Sequence, residues 1–489
     1  MAVMDYKYSL DFLEKINHSV FEGKLDTRGV FYEGYNIWYF FQASLFVDIK
    51  KFSLSKEIPP ENRLSISGFL VSLFFLFFSL CSLFFLSLTR KRVMIFSVDS
   101  LSSKFKSDYR MESLYSFLET KDIDFFEVFH TIPSKTTMFR LFKRSRLTMY
   151  LESIDFMFFI KQKIVSFFSL PNKDNDFVDL LQLNDFSDKE KLFAAYCIGK
   201  YFKAVPISLF RIKMLKKIIK FLKVKTILTI DDTRHYNELL VAAKLCGVLT
   251  IAFQHGHYTG YHVGCLRQGI PDNPVSSTVL CVWSEYWKKE LQRLNSFFPS
   301  SSIFVTGPTF DAVQIQKKSL QTKINNKKDT VCVLIPYETD APKNEARLFI
   351  HELLRYPNVK IIFKTRPNRD KQSQLDEYGI QDGRVEVVRS LSDVIADVDV
   401  VLGVYSTILY DMVALEKHVY IMDTGMDYGQ GMIINGLADR LYLRDIKKAI
   451  SAHSASGEML KDRKEKVVGT NPQQVATSLE VLFKKYQII

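Results

Sequence analysis

The side chains best suited to catalysis follow directly on an apolar, β-branched run. Residues 249–253 predict a buried parallel strand, and Gln254, His255 and Gly256 come immediately after it. Parallel strands present functional groups at their carboxyl ends, where a glycine lets the backbone approach a ligand closely. An imidazole that titrates near neutral pH suits a general base, so we predict His255 as the catalytic base. The alternative is a polar loop whose histidine is satisfied by backbone groups.

Neighbouring residues extend this candidate site along the same edge of the predicted sheet. Three of the nine histidines of the chain lie between positions 255 and 262. Asp231 and Asp232 end another predicted strand, where a carboxylate could orient His255 or replace it as the base. The predicted acceptor-side residues are Gln254, Gly256, His257 and His262.

A second group of strand-end residues has the opposite chemical character. Lys364 and Arg366 close one predicted strand, and Ser406 and Thr407 stand where another strand passes into a helix. Cationic side chains, hydroxyls and helix-terminal N–H groups together can cradle a phosphate. Ordinary helix capping by the two hydroxyl residues, and an exposed strand edge for the two cations, are the alternatives. The predicted donor-binding set is Lys364, Arg366, Ser406, Thr407, Tyr337 and Glu338.

No cofactor and no metal are predicted for this chemistry. The sequence holds neither a glycine-rich Walker loop nor the dinucleotide-binding fingerprint, which disfavours ATP hydrolysis and dinucleotide chemistry. No Asp-x-Asp motif follows a strand on the donor side, where a metal-dependent transferase would need one. Lys364, Arg366 and the helix terminus could stabilise a departing phosphate without a Lewis acid.

Strands alternate with helices most clearly from residue 226 onward, which predicts parallel sheets with helical crossovers. At 489 residues the chain is too long for one compact domain, and a polar stretch at 314–329 divides the alternating part in two. We predict an α/β protein with two Rossmann-type domains that face a cleft, preceded by a helical membrane-associated segment. The predicted boundaries are 1–92 for the N-terminal segment, 93–312 for the acceptor domain with a basic-aromatic helical insertion at 135–224, 313–329 for the linker, 330–470 for the donor domain and 471–489 for a closing helix.

Residues 64–88 form an uncharged apolar run between Arg63 and Arg90. The run is long enough for a helix that crosses a bilayer. Arg90, Lys91 and Arg92 place its carboxyl end in the cytosol by the positive-inside rule. We predict a membrane-inserted segment that either spans the bilayer or lies in its plane. The alternative is an unusually apolar core helix packed against the soluble part.

Charge and composition indicate an anionic partner. The formal net charge is +12 and the sequence pI is about 9.1, while 47% of the residues are apolar, enough for large cores. Basic-aromatic patches at 139–146 and 210–222 are typical of helices that dock on anionic bilayers, although solvated surface helices explain either patch alone. No nucleic-acid-binding motif is present, so a membrane surface ranks above nucleic acid as the partner. The six cysteines form no CxxC pair, which indicates reduced thiols in the cytosol.

These motifs resemble bacterial surface-polysaccharide glycosyltransferases of the GT-B type, in particular the CDP-glycerol glycerophosphotransferases and the bacterial sialyl- and polysialyltransferases. In those families a His-Gly that closes a strand of the first domain supplies the base, and His255 followed by glycine matches that pattern. Their paired hydroxyl residues at the donor phosphate correspond to Ser406 and Thr407.

Two positions depart from the pattern of those families. Arg366-Pro367 stands where they have His-Pro, and Asp231-Asp232 lacks the glycine of the sialyltransferase acidic motif. The resemblance, which covers roughly residues 226–470, therefore implies a nucleotide-activated donor but not CMP-sialate specifically.

The resemblance implies a metal-independent glycosyltransferase that moves a sugar from a nucleotide-activated donor to a growing surface glycan. That glycan would be a capsule or the O-antigen of lipopolysaccharide, carried on a lipid, and the enzyme would act at the cytoplasmic face of the inner membrane. Two alternatives stay open. One is a sugar-nucleotide epimerase of the two-Rossmann type, and the other is a non-catalytic, membrane-anchored protein of polysaccharide assembly.

Overall fold

Two α/β units follow an N-terminal helical segment in the computed structural model of the chain. The structure describes residues 6–22, 31–55, 66–89, 92–98, 108–130, 146–168, 186–230, 237–254, 256, 258, 260, 263, 266, 275–294, 296–309, 330–339, 341–366, 370–389, 391, 394–425, 429–451, 457–469 and 475–489. The predictions that lie outside these ranges concern Asp231, Asp232, His255, His257, His262, Pro367, the linker 313–329 and residues 139–145 of the first basic-aromatic patch.

The N-terminal segment packs on the first α/β unit. It contains α1 (Tyr6–Glu22), a hairpin of β1 (Phe31–Tyr32) and β2 (Tyr35–Asn36), a 3₁₀ turn (Ile37–Phe41), α2 (Gln42–Ser55) and α3 (Ile66–Leu88). Trp38 is fully buried and its ring packs edge-on against Tyr201. Asp48 accepts hydrogen bonds from Lys200 and Tyr201. Aromatic packing and one buried carboxylate therefore tie this segment to the helix that carries Tyr201.

Within the described residues, the first α/β unit contains a sheet of seven parallel strands. The strands are β3 (Val93–Val98), β4 (Phe125–His130), β5 (Thr148–Tyr150), β6 (Thr226–Thr229), β7 (Leu249–Phe253), β8 (Val279–Val282) and β9 (Ile303–Val305). The helices are α4 (Glu112–Thr120), α5 (Glu152–Phe168), α6 (Asp188–Phe221), α7 (Asn237–Lys244) and α8 (Glu285–Arg293). The strand order across the sheet is β5-β4-β3-β6-β7-β8-β9.

The second unit contains a sheet of six parallel strands. The strands are β10 (Val331–Pro336), β11 (Val359–Lys364), β12 (Val385–Val388), β13 (Val400–Gly403), β14 (His418–Met422) and β15 (Asp439–Leu441). The helices from residue 343 to the end are α9 (Lys343–Leu353), α10 (Lys371–Tyr378), α11 (Ile408–Ala414), α12 (Gln430–Ile434), α13 (Ile446–Ser451), α14 (Gly457–Val468) and α15 (Val475–Lys485). The strand order is β12-β11-β10-β13-β14-β15.

Both sheets have the strand order of a doubly wound Rossmann fold. In each sheet the first strand is internal, the second and third strands lie on one side of it, and the later strands lie on the other. This order creates a switch point beside the first strand, where the carboxyl ends of the strands leave a crevice for a ligand. The prediction of an α/β protein with two Rossmann-type units is confirmed.

The end of the chain returns to the first unit. The Trp287 indole of α8 donates to the Val467 carbonyl of α14 at 3.1 Å. Phe117 of α4 packs edge-on against Phe483 of α15, with ring centroids 5.2 Å apart. Each of the last two helices, which follow the second sheet in the chain, therefore packs against the first unit.

The second basic-aromatic patch, residues 210–222, does not present an apolar face to the outside. It forms the end of α6, and Ile212, Leu215 and Ile219 of this face are at most 2% exposed in the protein core. Arg211 makes a bidentate ion pair with Asp155, at 2.5 and 2.7 Å, and also donates to Glu238. The expectation that this helix docks on a bilayer is wrong, because the apolar residues that would enter the lipid are buried in the protein core.

Candidate functional site

Gln254 joins two strand ends and does not face a ligand. Its amide oxygen accepts a hydrogen bond from the Trp283 backbone N–H at 2.9 Å, and its amide nitrogen donates to the Gly256 carbonyl at 2.7 Å. The Trp283 indole donates to the Gln254 carbonyl at 2.9 Å. Gln254 is 2% exposed, so its side chain is not available to an acceptor, contrary to the prediction. It ties the Gly256 backbone to the carboxyl end of β8.

The two groups of predicted site residues meet at Gly256 and Thr407. A Cβ atom placed on Gly256 would lie 3.4 Å from Cγ2 of Thr407, so the backbone after β7 reaches the start of α11. Tyr258 packs edge-on against Trp287, which packs in turn on Tyr410 of α11 with ring centroids 5.5 Å apart. These aromatic contacts hold the carboxyl ends of β7 and β13 together.

The carboxylate of Glu338 accepts hydrogen bonds from three backbone N–H groups in the loop that precedes α11. It accepts hydrogen bonds from Val404 (2.8 Å), Tyr405 (2.7 Å) and Ser406 (2.5 Å). Burial raises the pKa of Glu338, an effect that the three N–H groups and Lys343 oppose. Glu338 is 1% exposed, so it shapes the loop after β13 and does not contact a donor, contrary to the prediction.

The hydroxyl residues next to this loop keep their predicted place at the strand end. Ser406 and Thr407 precede α11, which begins at Ile408, and the Ile408 N–H donates to Ser406 Oγ at 3.4 Å. This long bond is a weak form of the capping considered as the alternative role. Thr407 makes no side-chain capping bond to α11. The two hydroxyls therefore remain predicted donor contacts.

Tyr337 supports Glu338 from within the core. It is 3% exposed, and its hydroxyl donates to Glu377 Oε2 at 2.6 Å. Lys343 lies over the rings of Tyr337 and Tyr378, with its Nζ 4.6 and 4.7 Å from the two centroids, and donates to the Glu338 carbonyl. The prediction of Tyr337 as a donor contact is not supported, because its polar atom is bonded inside the second unit.

Glycines make the close packing around this loop possible. A Cβ atom on Gly429 would lie 2.2 Å from the Val404 carbonyl oxygen, a distance that no side chain can occupy. A Cβ atom on Gly403 would lie 3.3 Å from Glu338 Oε1 and 2.8 Å from a Leu409 methyl carbon. The loop after β13 is thus enclosed by backbone on one side and by Glu338 on the other, which sequence reasoning missed.

Lys364 and Arg366 form a cationic pair at the carboxyl end of β11. Burial and the neighbouring Arg366 guanidinium lower the pKa of Lys364, whose ammonium group donates to the Thr365 carbonyl at 3.1 Å. The Arg366 backbone is held by Gln374, which bonds both its N–H and its carbonyl. Arg366 is exposed, and its guanidinium makes no hydrogen bond to any residue that the structure describes. Two adjacent cations repel each other, so this strand end favours an anionic ligand.

Asp411 is a titratable residue near this pair that sequence reasoning missed. It lies in the first turn of α11, four residues after Thr407, so both side chains share one face of the helix. Its carboxylate interacts electrostatically with Lys364. Burial raises the pKa of Asp411 to about 7, although the positive charge of Lys364 acts to lower it. The four-residue spacing from Thr407 is the signal in the sequence that could have identified it.

We expect Asp411→Asn to stabilise the protein above pH 7. Since the pKa of Asp411 is raised above its usual 3.8, the folded state holds a proton between pH 4 and 7 that the unfolded state has lost. Stability from this group is therefore fully present below pH 4, is lost progressively as the pH rises towards 7, and is absent above 7, so the neutral amide should recover roughly 1–3 kcal/mol at pH 8 and less at pH 5. Urea unfolding at pH 5 and pH 8 measures this, with the exposed Asp445→Asn as control. An equal effect at both pH values would contradict the assignment.

A second titratable pair lies at the carboxyl edge of the first sheet. His130 ends β4 and Glu152 begins α5, with His130 Nδ1 2.7 Å from Glu152 Oε1. Their side chains are 23% and 9% exposed. Sequence reasoning missed this pair because the two residues belong to different elements, although the position of His130 at a strand end is a visible signal. Within the described ranges, no group of three His, Cys, Asp or Glu side chains is arranged to hold a metal ion.

Comparison with known proteins leaves the family open. No protein-family model matches the sequence, and no curated protein matches it. The specific resemblance to glycerophosphotransferases and sialyltransferases therefore stays a prediction.

Solved structures with a similar arrangement include both epimerases and glycosyltransferases. The UDP-GlcNAc 2-epimerase from Neisseria meningitidis, bound to UDP-GlcNAc, is 13% identical; the match covers 81% of this chain and 99% of that one, with a TM-score of 0.49. A glycosyltransferase from Rickettsia africae is 12% identical over 82% and 99% of the two chains, with a TM-score of 0.45. The calicheamicin glycosyltransferase CalG4 is 12% identical over 81% and 99%, with a TM-score of 0.46. All three scores lie below 0.5, so the fold assignment rests on the strand order of the chain itself.

Proposed function

We propose that the protein is a glycosyltransferase that uses a nucleotide-activated sugar. One observation carries the proposal: the close approach of Gly256 to Thr407 brings the carboxyl end of β7, which His255 follows in the sequence, next to the unit that contains Lys364 and Arg366. In this proposal the base belongs to one Rossmann unit and the cationic phosphate site to the other, an arrangement that suits transfer between an acceptor on the first unit and a donor on the second.

In this reaction His255 takes the proton of an acceptor hydroxyl, whose oxygen attacks the anomeric carbon of the donor sugar. The bond from that carbon to the phosphate oxygen breaks, and the electron pair leaves with the nucleotide. Lys364 and Arg366 neutralise the charge that develops on the departing phosphate, and the Ser406 and Thr407 hydroxyls donate hydrogen bonds to it. No redox step is involved.

The acceptor in this proposal is a lipid-linked surface glycan, such as a capsule or O-antigen chain, at the cytoplasmic face of the inner membrane. The observation that supports a membrane partner is the outward apolar face of α3, where Leu70, Phe77 and Phe84 are 62%, 68% and 61% exposed. A soluble sugar-nucleotide substrate would give the protein no use for such a surface.

A screen of thermal shift against UDP, GDP, CMP and CDP tests for the nucleotide site and identifies the donor class. We expect one nucleotide to raise the melting temperature by mass action. Incubation with the matching nucleotide sugar then separates the candidate functions. Transfer of the sugar to a glycan supports the proposal, whereas epimerisation of the free nucleotide sugar in the absence of an acceptor indicates the epimerase. Binding of no nucleotide would favour the non-catalytic assembly protein.

We expect Arg366→Ala to weaken binding of that nucleotide by about ten- to hundredfold, because one charge-assisted hydrogen bond to phosphate is lost. Isothermal titration calorimetry measures the affinity. The control is Arg444→Ala, whose side chain is 82% exposed on the same unit and lies in the 3₁₀ turn Leu443–Asp445. Unchanged affinity in Arg366→Ala would remove Arg366 from the donor site.

A further inference from the structure

Helix α3 presents a continuous apolar face to the outside of the protein. Apart from Phe85, which is 53% exposed, the exposed apolar residues recur every three or four positions, which places them on one side of the helix. Their exposed fractions run from 46% to 69%. They are Leu70, Leu73, Phe77, Leu80, Phe84 and Leu88.

The opposite side of α3 faces the first α/β unit and is the more polar of the two. Its buried residues are Phe75, Ser79, Ser82 and Leu86, each at most 4% exposed. Ser79 Oγ lies 2.8 Å from Ser153 Oγ of α5 and accepts a hydrogen bond from the Tyr150 backbone N–H at 3.2 Å.

This distribution is the reverse of a helix on the surface of a water-soluble protein. Such a helix turns its apolar stripe to the core and its polar side to solvent. In α3 the Ser79 hydroxyl bonds to the first α/β unit, while leucine and phenylalanine side chains face outward. An outward face of this kind requires an apolar environment, since exposed apolar surface in water is unfavourable by about 25 cal/mol per Å².

The contacts of α3 argue against a helix that crosses the bilayer in this pose. The covered side extends from Val71 to Leu86, which corresponds to about 22 Å of helix. Phe75 packs on Tyr150 at the edge of the sheet, next to the contact between His130 and Glu152. A spanning α3 would carry this strand edge, with its imidazole and carboxyl groups, into the hydrocarbon core, where ionisable groups are strongly disfavoured.

The charges around α3 favour a lipid surface over a second copy of the chain. The sequence from Arg63 to Val98 contains four cationic residues and no acidic residue, with Arg90, Lys91 and Arg92 directly after the helix. These cations complement anionic headgroups. A helix pair in water takes its partner specificity from charged residues that flank the apolar seam, and residues 64–89 contain none.

We propose that α3 lies in the plane of the membrane, with its Leu/Phe face in one leaflet and its serine face bound to the first α/β unit. The helix then works as an interfacial anchor that places the edge of the first sheet at the headgroup level. This inference does not rest on the transferase activity, since a chain that transfers no sugar would bind lipid equally.

Vesicle flotation of the full chain tests the anchor. We expect binding to vesicles of phosphatidylethanolamine and phosphatidylglycerol, and a loss on the order of 100-fold in the partition coefficient for Phe77→Ser combined with Phe84→Ser. The matched control combines Leu348→Ser with Ile434→Ser, two residues that are 54% and 76% exposed on the second unit and should leave binding unchanged. Equal binding of all three proteins would overturn the proposal. So would a wild-type dimer, in the absence of lipid, that dissociates in the α3 variant.

The depth of α3 distinguishes an in-plane helix from a spanning one. Leu73→Trp, Phe77→Trp and Phe84→Trp each place an indole on the exposed face, while the native Trp38, Trp283 and Trp287 are buried at 0–4% exposure. We expect brominated lipids to quench the three new indoles with the same shallow depth profile. If the three indoles lay at different depths, with one of them near the bilayer centre, the helix would span the bilayer and the proposal would be overturned.

Discussion

Replacing His255 with alanine should lower sugar transfer by about 100- to 10,000-fold, the range that a positioned general base contributes. Gln254 and Tyr258, which flank His255 in the sequence, are held by hydrogen bonds and by packing on Trp287, and the substitution leaves these contacts in place. The loss should appear in kcat, because the imidazole acts on the acceptor proton only as the bond forms.

The measurement is the initial rate of transfer from the donor that the nucleotide screen identifies. The control is His351→Ala, which removes an exposed imidazole from α9 on the second unit. Nucleotide affinity and melting temperature should match those of the wild type in both variants. Full activity of His255→Ala would exclude His255 as the base and leave Asp231 or Asp232 as the remaining predicted candidates.

The largest effect on stability is expected from Glu338→Ala, at about 3–5 kcal/mol of unfolding free energy. The substitution orphans three backbone N–H groups, of Val404, Tyr405 and Ser406, that are bonded at 2.5 to 2.8 Å. It also leaves a cavity at a residue that is 1% exposed. Because the loop precedes Ser406 and Thr407, nucleotide affinity should fall as well.

Urea unfolding of three variants separates the causes of this loss. Glu338→Gln keeps the volume but offers one acceptor oxygen where the carboxylate has two, so we expect an intermediate loss. Glu458→Ala removes an exposed carboxylate from α14 and should change stability by less than about 0.5 kcal/mol. If Glu338→Ala unfolded at the same urea concentration as Glu458→Ala, the three hydrogen bonds would make no contribution to the stability of the fold.

The sequence alone predicts which residues stand at the carboxyl ends of the strands. Apolar runs such as residues 249–253 and 331–336 stop at polar side chains, and parallel strands that alternate with helices align their carboxyl ends at one edge. Lys364, Arg366, Ser406 and Thr407 stand at strand ends, as predicted. A prediction of this kind requires only the local residue pattern and the chain direction, which are properties of the sequence.

The roles of the buried polar residues could not be predicted in the same way. Gln254, Tyr337 and Glu338 stand in equivalent positions directly after strands, yet each bonds inside the protein. The Glu338 carboxylate finds its partners 66 to 68 residues further along the chain. Sequence position shows that a polar group lies at the edge of the sheet, but not whether the fold supplies its partners.

The sequence by itself determined the α/β class with two Rossmann-type units, the strand ends next to the predicted base and the cations, and the apolar character of residues 64–88. Periodicity and composition are sufficient to predict these three features, because each feature depends on which residues along the chain are apolar. Only the tertiary structure decided which face of each helix is covered. It buried the apolar face of α6 with Ile212 and exposed that of α3 with Phe77. Gly256 and Thr407 meet for the same reason: packing between distant elements sets distances that no local pattern contains.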